Sequence, residues 1–249
     1  MTIVRGESIM AARCCGARYA LPRYLSMNDR SSAYWTDGWR EQSLMPNDEG
    51  LRHCKCGRFV VLRELVEIDR AETSDLPRLE HVSDEMLLAC IAQAESEEVE
   101  VAARLTHWRV LNHPYRQRYR EHRAAEEAAT QAAWETANPD RRTRWDRLLR
   151  RPGLTYQRPP GSPMTHPPFE PTDEQLRNME RLGEALQAWC DASRQGYSLD
   201  LAELYREQSR FEEAALMMAG VAGKRPDATV KLMNELISEK VSAPIRYRT

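Results

Sequence analysis

Two short segments of the sequence each place a pair of cysteines directly before a glycine: ARCCG at 12–16 and RHCKCG at 52–57. In metal-binding turns of the form Cys-x-x-Cys-Gly, the two-residue gap directs both thiolates at one ion, and the glycine permits the tight turn behind them. Both segments keep the second cysteine and the glycine and depart from the pattern at the first cysteine. Two such half-sites predict one shared metal ion that organises the surrounding chain.

The spacing defines the candidate ligands. Ala12 and His53 stand where the first cysteine of each turn would fall, and a neighbouring cysteine takes over that role. His53 is itself three residues before Cys56, which is good ligand spacing, so His53 is the alternative to Cys54. A shell of thiolates leaves no open position for water, which favours structural over catalytic zinc; a metal-free, degenerate turn pair is the other alternative. The predicted zinc ligands are Cys14, Cys15, Cys54 and Cys56.

Composition and charge limit the cellular compartment and the classes of partner that we expect for this protein. Of the 249 residues, 41% are hydrophobic and 30% are charged, which is typical of a globular protein. The net charge of −2 predicts no general attraction to nucleic acid or to an anionic membrane. Neither a secretory signal nor an apolar run of membrane-spanning length is recognisable. We therefore expect a cytoplasmic protein without a membrane partner, whose reduced cysteines favour metal over disulfides.

Four regions differ in composition and predict an α+β fold. Residues 1–72 hold four cysteines and many strand formers, which indicates a small β-rich, zinc-ribbon-like module. Residues 73–151 have helical periodicity and form a helical middle region. Residues 152–171 are dense in proline and form a linker, and residues 172–249 return to helical periodicity.

Local signals place several elements. ARYALPRY at 17–24 is predicted to be a strand that pairs with the strand-rich run at 58–68, and AYWTDGW at 33–39 has an Asp-Gly turn signal. Ser83 is predicted to cap a helical run that continues until the His-Pro sequence at 113–114. Thr172, followed by Asp-Glu-Gln, is predicted to cap the first C-terminal helix.

The segment at 195–226 matches the spacing of one tetratricopeptide unit, in which small and apolar residues let two antiparallel helices interlock. In this register Tyr205 and Phe211 take the aromatic positions and Ala214 the small contact position. Ser209 falls at the turn that glycine usually occupies. We therefore predict a tetratricopeptide-like helix pair at the C-terminal end.

These motifs together resemble an uncharacterised group of bacterial zinc-ribbon proteins with a tetratricopeptide-like tail. The resemblance implies a small N-terminal β-rich zinc-ribbon-like module followed by a mostly helical region, and it transfers no activity. The segments that carry it are CCGARYALP, YWTDGW, LMP, CKCGRFVVLRE, WRVLNHPYR and AELYREQSRFEEA.

A non-enzymatic protein-interaction or adaptor function is the first hypothesis. The sequence has no glycine-rich phosphate loop, no G-x-S-x-G and no H-E-x-x-H. An adaptor of this kind includes a toxin-inhibiting immunity protein or an effector-associated protein of bacteria. Large aromatics crowd around the Asp-Gly turn, and Trp39, next to the turn, is the candidate partner-binding residue.

A nucleic-acid-binding zinc-ribbon protein is the alternative hypothesis. The segment RRTRWDRLLRR at 141–151 clusters arginines around Trp145. Guanidinium groups bind phosphates, and an aromatic ring stacks on bases. The arginines that would bind nucleic acid are Arg141, Arg142, Arg144, Arg147, Arg150 and Arg151.

Overall fold

The chain combines small antiparallel sheets with helices, which confirms the α+β prediction. The computed structural model describes residues 3–27, 31–138, 161, 165–192, 196–221 and 228–248. These residues divide between two compact units, Met1–Asn112 together with Glu170–Thr249 as the first and His113–Phe169 as the second. The predicted boundaries at residues 72, 151 and 171 stay predictions.

Nine strands belong to the described part of the first unit, and all their pairings are antiparallel. They form three sheets of three strands, in the orders β2-β1-β7, β4-β3-β9 and β6-β5-β8. The strands are β1 (Ile3–Ala11), β2 (Arg18–Ser26), β3 (Ala33–Trp35), β4 (Arg40–Glu41), β5 (Leu51–His53), β6 (Phe59–Val61), β7 (Val66–Ala71), β8 (Glu80–His81) and β9 (Arg246–Tyr247).

The strand ARYALPRY was expected to pair with the run at 58–68, and this prediction is wrong. β2 pairs with β1, with Ile9 opposite Ala20 and Met10 opposite Tyr19. The run at 58–68 instead contributes β6 to a different sheet and the start of β7 to the far side of β1. Only the six residues at 12–17 separate β1 from β2, so closing this hairpin costs less chain entropy than the longer pairing would.

The predicted Asp-Gly turn is present. It joins β3 to β4, with the Trp35 backbone N–H donating to the Trp39 carbonyl at 2.8 Å. The side chain of Asp37 accepts the backbone N–H of Trp39 at 3.0 Å. This side-chain bond is how aspartate promotes a turn of the backbone that follows it.

Seven α-helices lie among the described residues, and none of these helices has both the length and the apolar character to cross a bilayer. The helices are α1 (Leu87–Ala92), α2 (Glu97–Leu111), α3 (His113–Ala137), α4 (Asp173–Asp191), α5 (Ser198–Glu207), α6 (Phe211–Val221) and α7 (Ala228–Ser238).

The helical run predicted from Ser83 is divided in two. Ser83 precedes a 3-10 turn at Asp84–Met86 and makes no capping bond with its side chain. After α1 the chain starts again at Ser96, whose side chain accepts the N–H of Val99 at 3.2 Å and caps α2. Three glutamates in the first turn of α2 complement the helix dipole. The serine that caps a helix is therefore Ser96, in the middle of the periodic run, and not Ser83.

At Thr172 the prediction is confirmed. The Thr172 hydroxyl accepts the N–H of Gln175, and the Gln175 side chain accepts the N–H of Thr172 at 2.8 Å. This reciprocal capping box satisfies two backbone donors that would otherwise lack partners at the start of α4.

Two apolar cores meet at α2. One face of the helix, with Leu105 and Trp108, packs among α4 to α7. Another face, with Val99 and Ala102, packs against β5, β6 and α1, where Leu87 is central. A third apolar cluster surrounds Cys54 between the first and third sheets and contains residues of both. Helix α2 therefore joins the helical bundle to the third sheet, and the cluster around Cys54 joins the third sheet to the first.

The second unit consists, in its described part, of α3 and a segment of the proline-rich region. The Tyr115 ring lies edge-on to Phe169, with ring centroids 5.1 Å apart, and its hydroxyl donates to the Pro167 carbonyl. The chain at 165–169 forms neither helix nor strand, as its proline content predicts.

The turn between α5 and α6 holds Ser209 in a left-handed backbone conformation, with φ at +60°. Steric strain from the Cβ raises the free energy of this conformation in serine, whereas glycine has no Cβ and adopts it without strain. We expect Ser209→Gly to raise the free energy of unfolding by about 1 kcal/mol, measured by urea denaturation. Gln208→Gly, at a neighbouring residue with φ of −84°, should lower it instead. Loss of stability in Ser209→Gly would contradict this account of the turn.

Candidate metal centre

Two hairpin turns carry the four candidate cysteines. The turn at 12–17 joins β1 to β2, and the Gly16 N–H donates to the Ala12 carbonyl at 2.8 Å. The turn at 54–58 joins β5 to β6, and the Gly57 N–H donates to the Cys54 carbonyl at 2.9 Å. Gly16 and Gly57 have φ of +69° and +88°, a region that other residues rarely adopt. Each glycine thus allows the tight turn that the sequence pattern predicts.

The four thiols lie close enough together to hold a metal ion. Cys14 and Cys15 have Sγ atoms 3.9 Å apart, and Cys54 and Cys56 have theirs 3.5 Å apart. Between the turns, the Cys14 Sγ lies 3.6 Å from Cys54 and 3.5 Å from Cys56, and Cys15 lies 3.6 Å from Cys54. All four sulfur atoms fall within 4.8 Å of one another. We call this group the thiol cluster.

The spacing of the thiol cluster has the dimensions of a tetrahedron around one ion. Zinc–sulfur bonds of about 2.3 Å in a tetrahedral site put the sulfurs about 3.8 Å apart. Four cysteine sulfurs are also the ligand set that selects zinc or iron over harder ions such as magnesium and calcium. With four protein ligands in place, a zinc ion would complete its shell and keep no position for a reacting water.

Tyr19 supports the thiol cluster, a role that the cysteine spacing does not predict. Its hydroxyl lies 3.1 Å from the Cys54 Sγ and accepts the backbone N–H of Lys55 at 3.0 Å. Tyr19 is buried on β2, two residues beyond Ala17 in the cysteine turn. Alternation along β2 puts Ala17, Tyr19 and Leu21 on one face, and that pattern could have identified Tyr19 once the hairpin was known.

The surroundings of Cys54 and Cys14 affect their thiols in opposite ways. Burial raises the pKa of Cys54, but the Cys56 backbone N–H and the Tyr19 hydroxyl stabilise the thiolate and bring that pKa down to about 7. Burial, reinforced by the neighbouring thiols of Cys56 and Cys54, raises the pKa of Cys14 well above its ordinary value. A bound cation would favour the thiolate at every position, since it is the largest charge in such a site.

The other predicted ligand and the remaining cysteines lie outside the thiol cluster. His53 packs its ring on Phe59, with centroids 5.3 Å apart, and its Nδ1 is 4.0 Å from a Glu80 carboxylate oxygen. Cys90 is buried in an apolar core, where burial raises its pKa to about 12. Cys190 is half-buried against the helical core, 3.9 Å from the Ser198 hydroxyl.

The aromatics at the Asp-Gly turn divide between core and surface. Trp35 is fully buried and donates its indole N–H to Glu41 at 2.9 Å. Tyr34 is half-buried, with its ring centroid 5.9 Å from that of Tyr247. Trp39, the predicted partner-binding residue, is also half-buried, so part of its indole faces solvent.

A buried polar network lies beneath the same turn, and no sequence pattern predicted it. The Asn112 amide donates to Asp37 at 3.1 Å and to both carboxylate oxygens of Glu207, and the Trp108 indole donates to Glu207 at 2.8 Å. All four side chains are buried. Arg109 extends this network by donating to the Asp37 carbonyl at 2.9 Å. The network joins the β3–β4 turn to α2 and α5.

Glu207 gives the network a pH dependence. Burial, together with the nearby carboxylates of Glu203 and Asp37, raises the pKa of Glu207 well above its ordinary value. Its stabilising contribution is therefore complete below pH 4.5 and is lost as the pH rises through the pKa of the folded state. We expect Glu207→Gln, which cannot ionise, to gain stability relative to the natural protein between pH 5 and pH 8, measured by urea midpoints at both values.

Glu213 provides the control for that measurement. Its own backbone N–H and Arg210 lower its pKa, so ionisation stabilises the folded state there. Glu213→Gln should therefore be less stable than the natural protein by an amount that is already complete near pH 5 and does not change up to pH 8. A difference between Glu207→Gln and the natural protein that stays constant with pH would show that Glu207 is already ionised in the fold.

The arginines proposed for nucleic-acid binding, at 141–151, lie outside the described residues. Comparison with other proteins assigns neither the cysteine turns nor the helices to a known family. No family model matches the chain, and neither does any curated protein or solved structure.

Proposed function

We propose that the chain is a non-enzymatic adaptor protein that binds another protein, and that one structural zinc ion organises its N-terminal module. The observation that carries the metal assignment is the tetrahedral spacing of the thiol cluster. In this proposal Cys14, Cys15, Cys54 and Cys56 hold the ion, and the two hairpin turns form a zinc-ribbon-like module. The resemblance to bacterial zinc-ribbon proteins stays a prediction.

A zinc ion would compensate for the small size of the module's own core. The strands that carry the second half-site, β5 and β6, have three residues each. Strand pairs this short are marginal in water without further support. A tetrahedral ion fixes both turns to one point, and the binding free energy becomes folding free energy.

Exposed apolar groups on the N-terminal module support a protein partner. Val66 and Ile68 on β7 are exposed, and β7 has a strand partner on one side only among the described residues. Trp39 adds a half-buried indole beside the Asp-Gly turn. Apolar surface of this kind is typical of sites that bind other proteins.

The helical region offers a second surface for a peptide. A groove of about 390 Å³ lies between α4 and the α5–α6 pair. Tyr205 is buried and Ala214 fully so, which supports a tetratricopeptide-like register, whereas Phe211, expected to be buried, is half-buried against the same core. The groove combines apolar and acidic side chains; its lining residues are Met179, Glu180, Gly183, Glu184, Gln187, Tyr205 and Arg210.

Capture of the partner from the native organism tests this proposal. We expect Trp39→Ala to recover at least tenfold less of the protein that the natural chain captures, because a large aromatic anchor contributes more than about 1.4 kcal/mol to binding. Leu216→Ala, at an exposed position on α6, is the control and should capture the same amount. Equal recovery by Trp39→Ala would remove Trp39 from the proposed interface, and turnover of a substrate by the purified chain would refute the adaptor.

A further inference from the structure

The open end of the β1–β2 hairpin, away from the cysteine turn, exposes a cluster of large apolar side chains. Their exposed fractions lie between 41% and 59%. Contiguous apolar exposure of this kind marks an interaction site. We call this group the hairpin end; its apolar members are Ile3, Val4, Tyr24, Leu25 and Met27.

Apolar side chains lie on both faces of the hairpin end. Val4 pairs with Tyr24, and paired residues of an antiparallel ladder share a face. The extra residue of the bulge at this point is Leu25 on β2, so the alternation of β1 continues, and Ile3 and Val4 point to opposite faces. A flat protein surface would cover only one of these faces. An apolar medium that surrounds the strand end would cover both.

Arginines accompany these apolar groups. β1 has two residues, Arg5 and Gly6, opposite the single residue Arg23 of β2, so the two guanidinium groups lie across the hairpin from each other next to the Val4–Tyr24 pair. Together with Arg70, which has the larger effect, Arg23 lowers the pKa of the Glu67 carboxyl on the neighbouring part of the same sheet, without an ion pair to it. The hairpin at 3–26 has a net charge of +3, although the whole chain carries −2; two of its four arginines, Arg5 and Arg23, lie at the hairpin end, and the other two lie at the cysteine turn.

We propose that the hairpin end inserts into the surface of an anionic lipid bilayer. Apolar side chains on both faces would enter the boundary between headgroups and acyl chains, and the arginines would contact anionic headgroups. Like charges on two hairpin ends oppose pairing with a second copy of the chain. Four of the five apolar members are aliphatic, whereas single-stranded nucleic acid is bound by stacking on aromatic rings.

This inference goes beyond the adaptor function and does not depend on it. Cys14 and Cys15 of the thiol cluster lie in the turn at the opposite end of the same hairpin. Substitutions at the hairpin end therefore test membrane binding without removing a metal ligand. The whole-chain charge of −2 predicts no attraction to anionic membranes. This total does not describe the hairpin, whose own net charge is positive.

Vesicle cosedimentation of the full chain tests the proposal. The probes are vesicles of phosphatidylcholine alone and vesicles with about 30% phosphatidylserine. We expect the natural chain to sediment with the anionic vesicles and not with the neutral ones. Arg5→Gln/Arg23→Gln should weaken the partition about 30-fold, since each basic residue near such a surface contributes about fivefold. Val4→Ser/Leu25→Ser should weaken it by tenfold or more.

Matched controls separate the hairpin end from general surface effects. Leu216→Ser removes an apolar side chain that is 68% exposed on α6, and Arg177→Gln removes an exposed charge on α4; both should sediment like the natural chain. Thermal midpoints confirm that each variant is folded. The proposal is overturned if the natural chain stays in the supernatant, if it binds neutral vesicles equally, or if the hairpin-end variants sediment like the controls. Binding to a single-stranded oligonucleotide without vesicle binding also overturns it.

Discussion

Cys54→Ser is expected to abolish stoichiometric zinc binding and to unfold the N-terminal sheets. Cys54 is the fully buried member of the thiol cluster and lies within 3.6 Å of the other three sulfurs. Structural zinc in small domains contributes about 10–16 kcal/mol of apparent binding free energy. A serine hydroxyl is a poor zinc ligand, so the variant should lose a large part of that free energy.

Cys90→Ser is the matched control, because Cys90 is equally buried and lies outside the thiol cluster. Elemental analysis should give about one zinc per chain for the natural protein and for Cys90→Ser, and none for Cys54→Ser. Near-ultraviolet circular dichroism should report loss of tertiary structure only in the latter, and a chelator should reproduce that loss in the natural protein. Zinc-free natural protein with an intact spectrum would reject the structural metal.

The two cysteine turns could be predicted from the sequence because their geometry is local. A cysteine pair followed by glycine specifies the turn, and Gly16 and Gly57 adopt the conformations that the pattern requires. The distance between the two half-sites depends on the pairing of β1 with β2 and of β5 with β6. The support from Tyr19 depends on the same pairing, which residue spacing along the chain does not encode.

Helix boundaries were predictable where the capping side chain is decisive. Thr172 and Gln175 form a complete capping box, and α4 begins where the sequence places it. The run from Ser83 retains one apolar period on both sides of Ser96, and periodicity alone does not reveal that the chain begins a new helix there. Periodicity also does not reveal which charged residues are buried, because Glu207 becomes buried only when α2 and α5 pack together.

Arg206→Met is expected to lower the free energy of unfolding by about 3–5 kcal/mol. Arg206 and Glu203 are fully buried on α5 and form an ion pair in which the Arg206 Nε donates to Glu203 at 2.8 Å. The same guanidinium donates to the Val241 carbonyl and to the Thr36 hydroxyl. Its removal leaves a buried carboxylate without a counter-charge and removes one of several links between the β3–β4 turn and the C-terminal segment, which stay paired through β3 and β9. Urea denaturation measures the loss.

The double variant Glu203→Met/Arg206→Met distinguishes ionic compensation from simple packing. Because the uncompensated carboxylate is then absent, the double variant should be more stable than Arg206→Met alone, although it still lacks the bonds to Val241 and Thr36. Arg181→Met breaks a pair with Glu184 that is more than two-thirds exposed, and it should cost no more than about 0.5 kcal/mol. A double variant less stable than Arg206→Met would mean that Glu203 stabilises the fold independently of its partner, through packing or through the neighbouring network around Glu207.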